Sequence, residues 1–128
     1  MRFKYPMSKK YVLRKFNLTI EPNTSVAIVG HSGSGKSTIG QLILRFYDAN
    51  HGQILIDGKE IKSYATRELR KNISIVQQEP LLFNESIKDN ILYGDMEACD
   101  KRVREVAAQA NALGFIMQKE DDFNSSIV

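Results

Sequence analysis

The chain has 128 residues and a net charge of +3, with 42% apolar and 26% charged residues. This composition is typical of a soluble globular domain, and the small, dispersed positive charge argues against nucleic acid as a partner. A single cysteine excludes an internal disulfide, and no apolar run reaches the ~18 residues that a membrane-spanning helix needs.

The first third of the chain predicts two strands and then a helix. Residues 16–20 alternate apolar and polar side chains, as a half-buried strand does. Residues 26–29 are continuously apolar, which is typical of a strand buried on both faces. Residues 38–47 predict a helix, because apolar side chains recur there at helical spacing, at Ile39, Leu42, Ile43 and Phe46.

A glycine-rich segment at residues 30–37, called the glycine loop below, separates that second strand from that helix. It matches the pattern G-x-x-x-x-G-K-[ST]. Glycines let backbone N–H groups turn inward around an anion, and the start of the following helix adds unpaired N–H groups. In such a loop, Lys36 would place a cation on nucleotide phosphates and Ser37 would ligate Mg²⁺. The segment therefore predicts a phosphate site.

The middle of the chain predicts a hairpin, a helix and a strand. Residues 53–56 and 59–61 flank Asp57-Gly58, a dipeptide typical of tight hairpin turns. Residues 66–71 predict a short helix with Thr66 as its N-cap. Residues 73–76 predict a short buried strand, which Pro80 prevents from continuing.

Two helices are predicted in the last third. Residues 86–92 form the first, and the second carries an apolar stripe that ends before Asn111. After Gln118 the sequence becomes polar without an obvious closing element. Because strands alternate with helices around an inserted hairpin, we predict an α/β fold with a mostly parallel sheet, with the ligand beyond the carboxyl ends of its strands.

Three separated motifs resemble the first half of the ATP-binding domain of ABC transporters, most closely the multidrug exporter branch. They are the aromatic pair and proline at residues 3–6, the glycine loop, and the glutamine-containing block at residues 76–83 with residues 86–91 after it. The resemblance covers nearly the whole chain. It implies a P-loop ATPase core that is incomplete here, with residues 1 to about 80 as the ATP-binding core and about 81 to 128 as the start of the helical subdomain.

The resemblance also assigns ligands and roles. It implies ATP and Mg²⁺, with Tyr5 stacking on adenine, Lys36 and Ser37 on the phosphates and Mg²⁺, and the amide oxygen of Gln78 reaching Mg²⁺ or the attacking water. Gln78 and Lys36 are the expected catalytic residues, and Ser37 and Gln78 the expected metal ligands. The expected nucleotide-binding residues are Tyr5, Gly30, Ser32, Gly33, Ser34, Gly35, Lys36, Ser37 and Thr38.

Half of the family's site is missing from the sequence. Nothing after Asn111 supplies the Leu-Ser-Gly-Gly-Gln signature, the apolar strand ending in Asp-Glu, or the switch histidine. Because hydrolysis needs a water-orienting carboxylate and a second Mg²⁺-binding acid, we expect this chain to bind ATP–Mg²⁺ weakly without hydrolysing it. We expect a longer parent protein to hydrolyse ATP to drive export, and the isolated chain to be marginally stable, with uncovered apolar faces.

The expected partners are a transmembrane domain, on the same or a partner chain, and a second ATP-binding domain, at the cytoplasmic face of a membrane. Two other functions would use the same loop: an ABC-type ATPase acting on nucleic acid, and a P-loop kinase of small molecules. The spacing of the motifs that contain Tyr5 and Gln78, with the weak charge, argues against the first. The glutamine block would have no role in the second.

Overall fold

A computed structural model describes residues 1–127 of the chain. They form two compact units, the first spanning Met1–Ile75 and the second beginning at Val76. Each unit has its own small core. The glycine loop lies in the first unit.

The N-terminal segment is held in the first unit by short antiparallel pairings. Phe3 pairs with Leu13, and Arg2 pairs with His51. The amide of Phe3 donates to the carbonyl of Leu13 at 3.0 Å, and the amide of Val12 donates back to Phe3 at 2.8 Å. These bonds bury Phe3 and Leu13 in one core with two residues of the helix that follows the glycine loop.

That helix, α1, spans Lys36–Ile43. It buries Ile39 and Leu42, as the helical spacing predicts. The predicted extension to residue 47 is wrong, because the chain leaves the helix at Arg45, whose φ is +54°. Phe46 consequently lies half exposed, with the guanidinium of Arg70 over its ring at 4.7 Å.

The predicted hairpin is confirmed as strands β1, Leu55–Ile56, and β2, Lys59–Glu60, which pair antiparallel. Asp57 and Gly58 both have positive φ, +50° and +78°, as a two-residue hairpin turn of this kind requires.

The predicted helix at residues 66–71 is confirmed as α2, Thr66–Lys71. Its N-cap is Ala65, so the prediction that Thr66 is the cap is wrong by one residue. Near its end, Arg70 donates from Nε to the carbonyl of Leu44 at 2.9 Å and from Nη2 to that of Arg45 at 3.1 Å. Arg70 thereby satisfies carbonyl groups at the C-terminus of α1 that have no partner within the helix.

The mostly parallel sheet is absent from residues 1–127, where the only sheet is the hairpin β1–β2. Residues 16–20, 26–29 and 73–76, predicted as strands, lack regular structure. Val29 and Val76 are 88% and 97% exposed. A strand of this apolar kind is stable only when neighbouring strands pair with its backbone and cover its faces, and the described residues supply none.

An apolar groove of about 790 Å³ marks the same deficit in the first unit. Its lining includes Leu18 and Ile20 from a segment without regular structure, and Ile39 and Ile43 of α1. None of its lining residues belongs to the glycine loop. The groove therefore reflects uncovered core surface and is separate from the phosphate site predicted by sequence.

The second unit is helical. Its helices are α3, Ile87–Leu92, α4, Asp100–Gln109, and α5, Leu113–Ile116. A 3-10 turn follows at Asp122–Asn124 and buries Phe123 against Val103, Ala107 and Ile116. The polar tail after Gln118 therefore does contain a closing element, which the sequence analysis missed because it consists of one aromatic residue among charges.

Candidate nucleotide-binding site

Two glycines give the glycine loop its shape. Gly33 and Gly35 have φ of +77° and +96°, a region that side chains with a Cβ rarely occupy. At Gly35 a Cβ would also lie 2.9 Å from side-chain carbons of both Val12 and Leu13. Ser34, which stands between these two glycines, closes a turn, because its amide donates to the carbonyl of His31 at 3.1 Å.

The N-terminus of α1 opens onto this loop without a side-chain cap. Its N-cap residue is Gly35, and within the described chain no side chain accepts a hydrogen bond there. The first turn contains no acidic residue. The positive end of the helix dipole is therefore uncompensated by any carboxylate in that turn, which favours an anion at this position.

Lys36 lies over the loop. Its Nζ donates to the carbonyl oxygens of Gly30 and His31, each at 2.8 Å. Ammonium-to-carbonyl bonds of this kind are charge-assisted, so they hold the cation at the mouth of the loop. Five of the sequence-predicted loop residues, Gly30, Ser32, Gly33, Ser34 and Ser37, are exposed, whereas Gly35 is buried.

Tyr5 and Thr38 are brought together. The hydroxyl of Tyr5 lies 2.8 Å from Oγ1 of Thr38 and donates to Oε1 of Gln41 at 2.8 Å. The Tyr5 ring meets Phe3 and Tyr47 edge-on, with centroids 5.0 and 5.1 Å away. Tyr5 is thus placed beside the first turns of α1, although it precedes that helix by about thirty positions.

Gln41 is the residue at this site that the sequence analysis missed. Its signal was its spacing, because residues three apart on a helix share a face, and Gln41 stands three positions after Thr38. Two polar residues three positions apart, outside the apolar stripe of α1, are the pattern that would have singled it out.

Gln78 lies in the second unit, exposed, in a segment without helix or strand. Its predicted approach to the Mg²⁺ held by Ser37 therefore stays a prediction.

The segment after Gln78 presents apolar side chains to solvent. Leu81 is 87% exposed, and the ring of Phe83 stacks on that of Tyr93 at 4.1 Å. The side chain of Asn90 holds the backbone of Phe83 at both ends, accepting from its amide at 2.8 Å and donating to its carbonyl at 3.0 Å. Partial desolvation, with the negative charge of Glu85 adding to it, raises the pKa of Tyr93.

The donor set at the glycine loop fits a polyphosphate with a bound Mg²⁺. One ammonium, three accessible serine hydroxyls and an uncapped helix N-terminus converge on a loop whose glycines permit close backbone approach. Among these hydroxyls, that of Ser37 belongs to the first turn of α1 and suits a cation shared with phosphate oxygens.

The family model of the ABC transporter matches residues 13–126, which is most of the chain. The chain belongs to the ABC transporter family. The match begins at residue 13, includes the whole glycine loop and runs through the α-helices α1 to α5 of the described residues. Membership implies ATP binding, which agrees with the chemistry of the loop.

Individual relatives are much longer exporters. The chain is 49% identical over 124 residues to an ATP-dependent lipid A-core flippase of Hahella chejuensis, covering 96% of this chain and 21% of the flippase. It is 46% identical over 127 residues to a putative multidrug export ATP-binding/permease protein of Staphylococcus aureus strain RF122, covering 99% of this chain and 22% of that protein. The chain thus spans about a fifth of the curated relatives it matches. No helix within residues 1–127 is both long and apolar enough to cross a bilayer.

Proposed function

We propose that this chain is the first part of the ATP-binding domain of an ABC exporter and binds ATP–Mg²⁺ at the glycine loop. The observation that supports this most is the ammonium of Lys36, held at 2.8 Å from two loop carbonyls at an uncapped helix N-terminus. Among residues 1–127, no carboxylate pairs with this cation, and its place beside a positive dipole end suits a polyanion that replaces those carbonyl contacts.

Each ligand group then has a partner. The β- and γ-phosphates meet Lys36 and the backbone of residues 33–38, and Mg²⁺ meets the hydroxyl of Ser37. Adenine stacks on Tyr5, whose ring stands beside α1. The amide oxygen of Gln78 is the further group proposed to reach Mg²⁺ or the attacking water.

Hydrolysis belongs to the longer protein. The chain carries the phosphate-binding residues and a water-sensing Gln78, whereas the water-orienting carboxylate is not among its described residues near the loop. In the longer protein the exposed apolar residues 26–29 and 73–76 are covered by further parts of the same domain. Residues 1 to about 80 form its ATP-binding core, and residues from about 81 to 128 begin its helical subdomain.

The exposed apolar segment after Gln78 supplies the link to transport. Leu81, Leu82 and Phe83 form a docking surface for a transmembrane domain of the same or a partner chain. A second ATP-binding domain completes the site from the other side. These partners place the chain at the cytoplasmic face of a membrane.

The central test is Lys36→Ala in the 128-residue chain, with Lys71→Ala as the matched control. Lys71 is an exposed lysine outside the glycine loop, at the end of α2, where it pairs with Glu68. Binding of ATP and of inorganic tripolyphosphate, each with Mg²⁺, is measured by isothermal titration calorimetry. We expect Lys36→Ala to abolish detectable binding of both ligands, because one charged hydrogen bond alone contributes about 1.5–3 kcal/mol. Unchanged binding in this variant would remove the glycine loop from the proposal.

A second experiment tests the contact between Tyr5 and adenine. Tyr5→Ala should weaken ATP binding by about 1–3 kcal/mol and leave tripolyphosphate binding unchanged, because only ATP has a ring to stack. Equal losses for both ligands would show that Tyr5 supports the loop and does not contact adenine.

A further inference from the structure

Three side chains in the first unit form one chain of hydrogen bonds. Tyr5 Oη donates to Gln41 Oε1 at 2.8 Å, and Tyr5 Oη also lies 2.8 Å from Thr38 Oγ1. Thr38 is only 4% exposed, and Tyr5 and Gln41 are half-buried. Hydrogen bonds shielded from water in this way hold their geometry more firmly than exposed ones.

The two hydrogen bonds have a defined order of donors and acceptors. A phenol has a single proton, and Tyr5 gives it to Gln41, so the hydroxyl of Thr38 must donate to Tyr5. Thr38 therefore donates to Tyr5, Tyr5 donates to Gln41, and the amide oxygen of Gln41 is the final acceptor. Without that acceptor, the phenol proton would turn toward Thr38 and this order would be lost.

These hydrogen bonds join two parts of the candidate site. Thr38 is the third residue of α1, directly after the loop residues Lys36 and Ser37, whereas Tyr5 belongs to the N-terminal segment. Phe3 and Tyr47 contact the Tyr5 ring edge-on, at interplanar angles of 78° and 90°, and so restrain the plane of the ring. The two hydrogen bonds at the hydroxyl tip fix where the long axis of the ring points.

We propose that Gln41 is a positioning residue for the nucleotide base: it holds Tyr5 in the orientation that stacks on adenine and couples that ring through Thr38 to the glycine loop. This inference rests on the proposed function, in which Tyr5 contacts adenine. A residue that merely packed α1 would affect stability, and it would not change how well the protein distinguishes ATP from tripolyphosphate.

The test compares Gln41→Met, Tyr5→Phe and the double variant in the 128-residue chain. Methionine has nearly the length of glutamine but lacks the acceptor, and phenylalanine keeps the ring but lacks the hydroxyl. The readout is the ratio of ATP to tripolyphosphate affinity, each with Mg²⁺. We expect each single variant to lower this ratio about three- to tenfold, the factor for loss of one hydrogen bond, and the double variant to lower it no further.

Two controls sharpen the result. Gln41→Glu keeps an acceptor at the same position, so it should retain the wild-type ratio even if its added charge weakens both ligands. Gln109→Met makes the same exchange at an exposed position of α4 and should change nothing. Quenching of etheno-ATP fluorescence, which reports stacking on the base directly, should fall in Gln41→Met and Tyr5→Phe.

The outcomes separate this inference from the proposed function. If Tyr5→Ala lowers the affinity ratio but Gln41→Met and Tyr5→Phe leave it unchanged, Tyr5 stacks on the base and Gln41 does not position it. If Tyr5→Ala leaves the ratio unchanged, the stacking role itself is wrong and the inference falls with it. Equal losses for both ligands in Gln41→Met would assign Gln41 to the support of the loop. Should Gln41→Met fail to fold, Tyr5→Phe reads the same hydrogen bond from its other end.

Discussion

The helices α1 and α3 begin in opposite ways. At α3, Ser86 accepts a hydrogen bond from the amide of Asp89 and donates to its carboxylate, and Asp89 lies in the first turn. At α1, the cap is Gly35, which has no side chain to offer, and the first turn holds Lys36 in place of an acid. A helix N-terminus closed by its own serine and aspartate is a structural end, whereas one left open beside a cation is suited to receive an anion.

The start of α4 is intermediate. Its N-cap, Cys99, makes no side-chain hydrogen bond, but Asp100 lies in its first turn and pairs with Lys88 at 2.6 Å. The hydrogen bond from Lys88, and then its charge, lower the pKa of Asp100. The starts of α3, α4 and α1 therefore form a series in which the side chains that compensate the helix N-terminus become fewer. The residues near each start distinguish a capped end from a candidate anion site.

The largest expected effect tests the open end. Gly35→Ala should lower the free energy of unfolding by about 2–5 kcal/mol, because a left-handed alanine costs about 1–2 kcal/mol and the overlap with Val12 and Leu13 about 1–3 kcal/mol. Gly33→Ala should cost only the first part, since its added Cβ would meet no atom within 4 Å. Urea denaturation followed by circular dichroism measures both.

Gly40→Ala is the matched control for these variants. Gly40 lies inside α1 with open space around it, so alanine should stabilise the unit by about 0.5–1 kcal/mol. Equal changes in the free energy of unfolding for all three glycine variants would show that the left-handed backbone of the glycine loop does not require glycine.

A smaller effect tests the closed end. Ser86→Ala should destabilise the second unit by about 0.5–2 kcal/mol, because it removes the side-chain cap of α3. Ser86→Thr keeps the hydroxyl and should recover most of the loss. Neither variant should alter tripolyphosphate binding, and a loss of binding in Ser86→Ala would mean that a capped end also serves the ligand.

The smallest effect tests the intermediate end. Because the pKa of Asp100 is lowered in the folded state, its pairing with Lys88 contributes stability above the ordinary carboxyl pKa of about 3.9, and that contribution is lost as the pH falls through the folded value. Lys88→Met should move the pKa of Asp100 upward. Carboxyl-carbon NMR titration of Asp100 reads this directly, and an unmoved pKa would remove Lys88 as its cause.

Features set by a few neighbouring residues could be predicted from the sequence. The Asp57-Gly58 turn, the bounds of α2 and the serine at the start of α3 follow from local backbone preferences and hydrogen bonds. The shape of the glycine loop belongs to the same class, because glycine alone tolerates the backbone found at Gly33 and Gly35.

Features that depend on distant partners could not be predicted in this way. Residues 26–29 have the composition of a buried strand, but the described chain offers no neighbouring strand to pair with them. The end of α1 also depends on a distant residue, because Arg70 donates to the carbonyls of Leu44 and Arg45, which directly follow the helix. The link from Tyr5 to Gln41 joins residues 36 positions apart, so helical spacing could indicate a shared face but not the partner.

Arg70 also bears on how the first unit would respond to a ligand. It fixes the last turn of α1 through two carbonyls while Tyr5 holds the first turn, so the helix is anchored at both ends before anything binds. A receptor that is stiff in advance loses little conformational entropy on association. The ordering of this helix should therefore reduce its affinity for an anion very little.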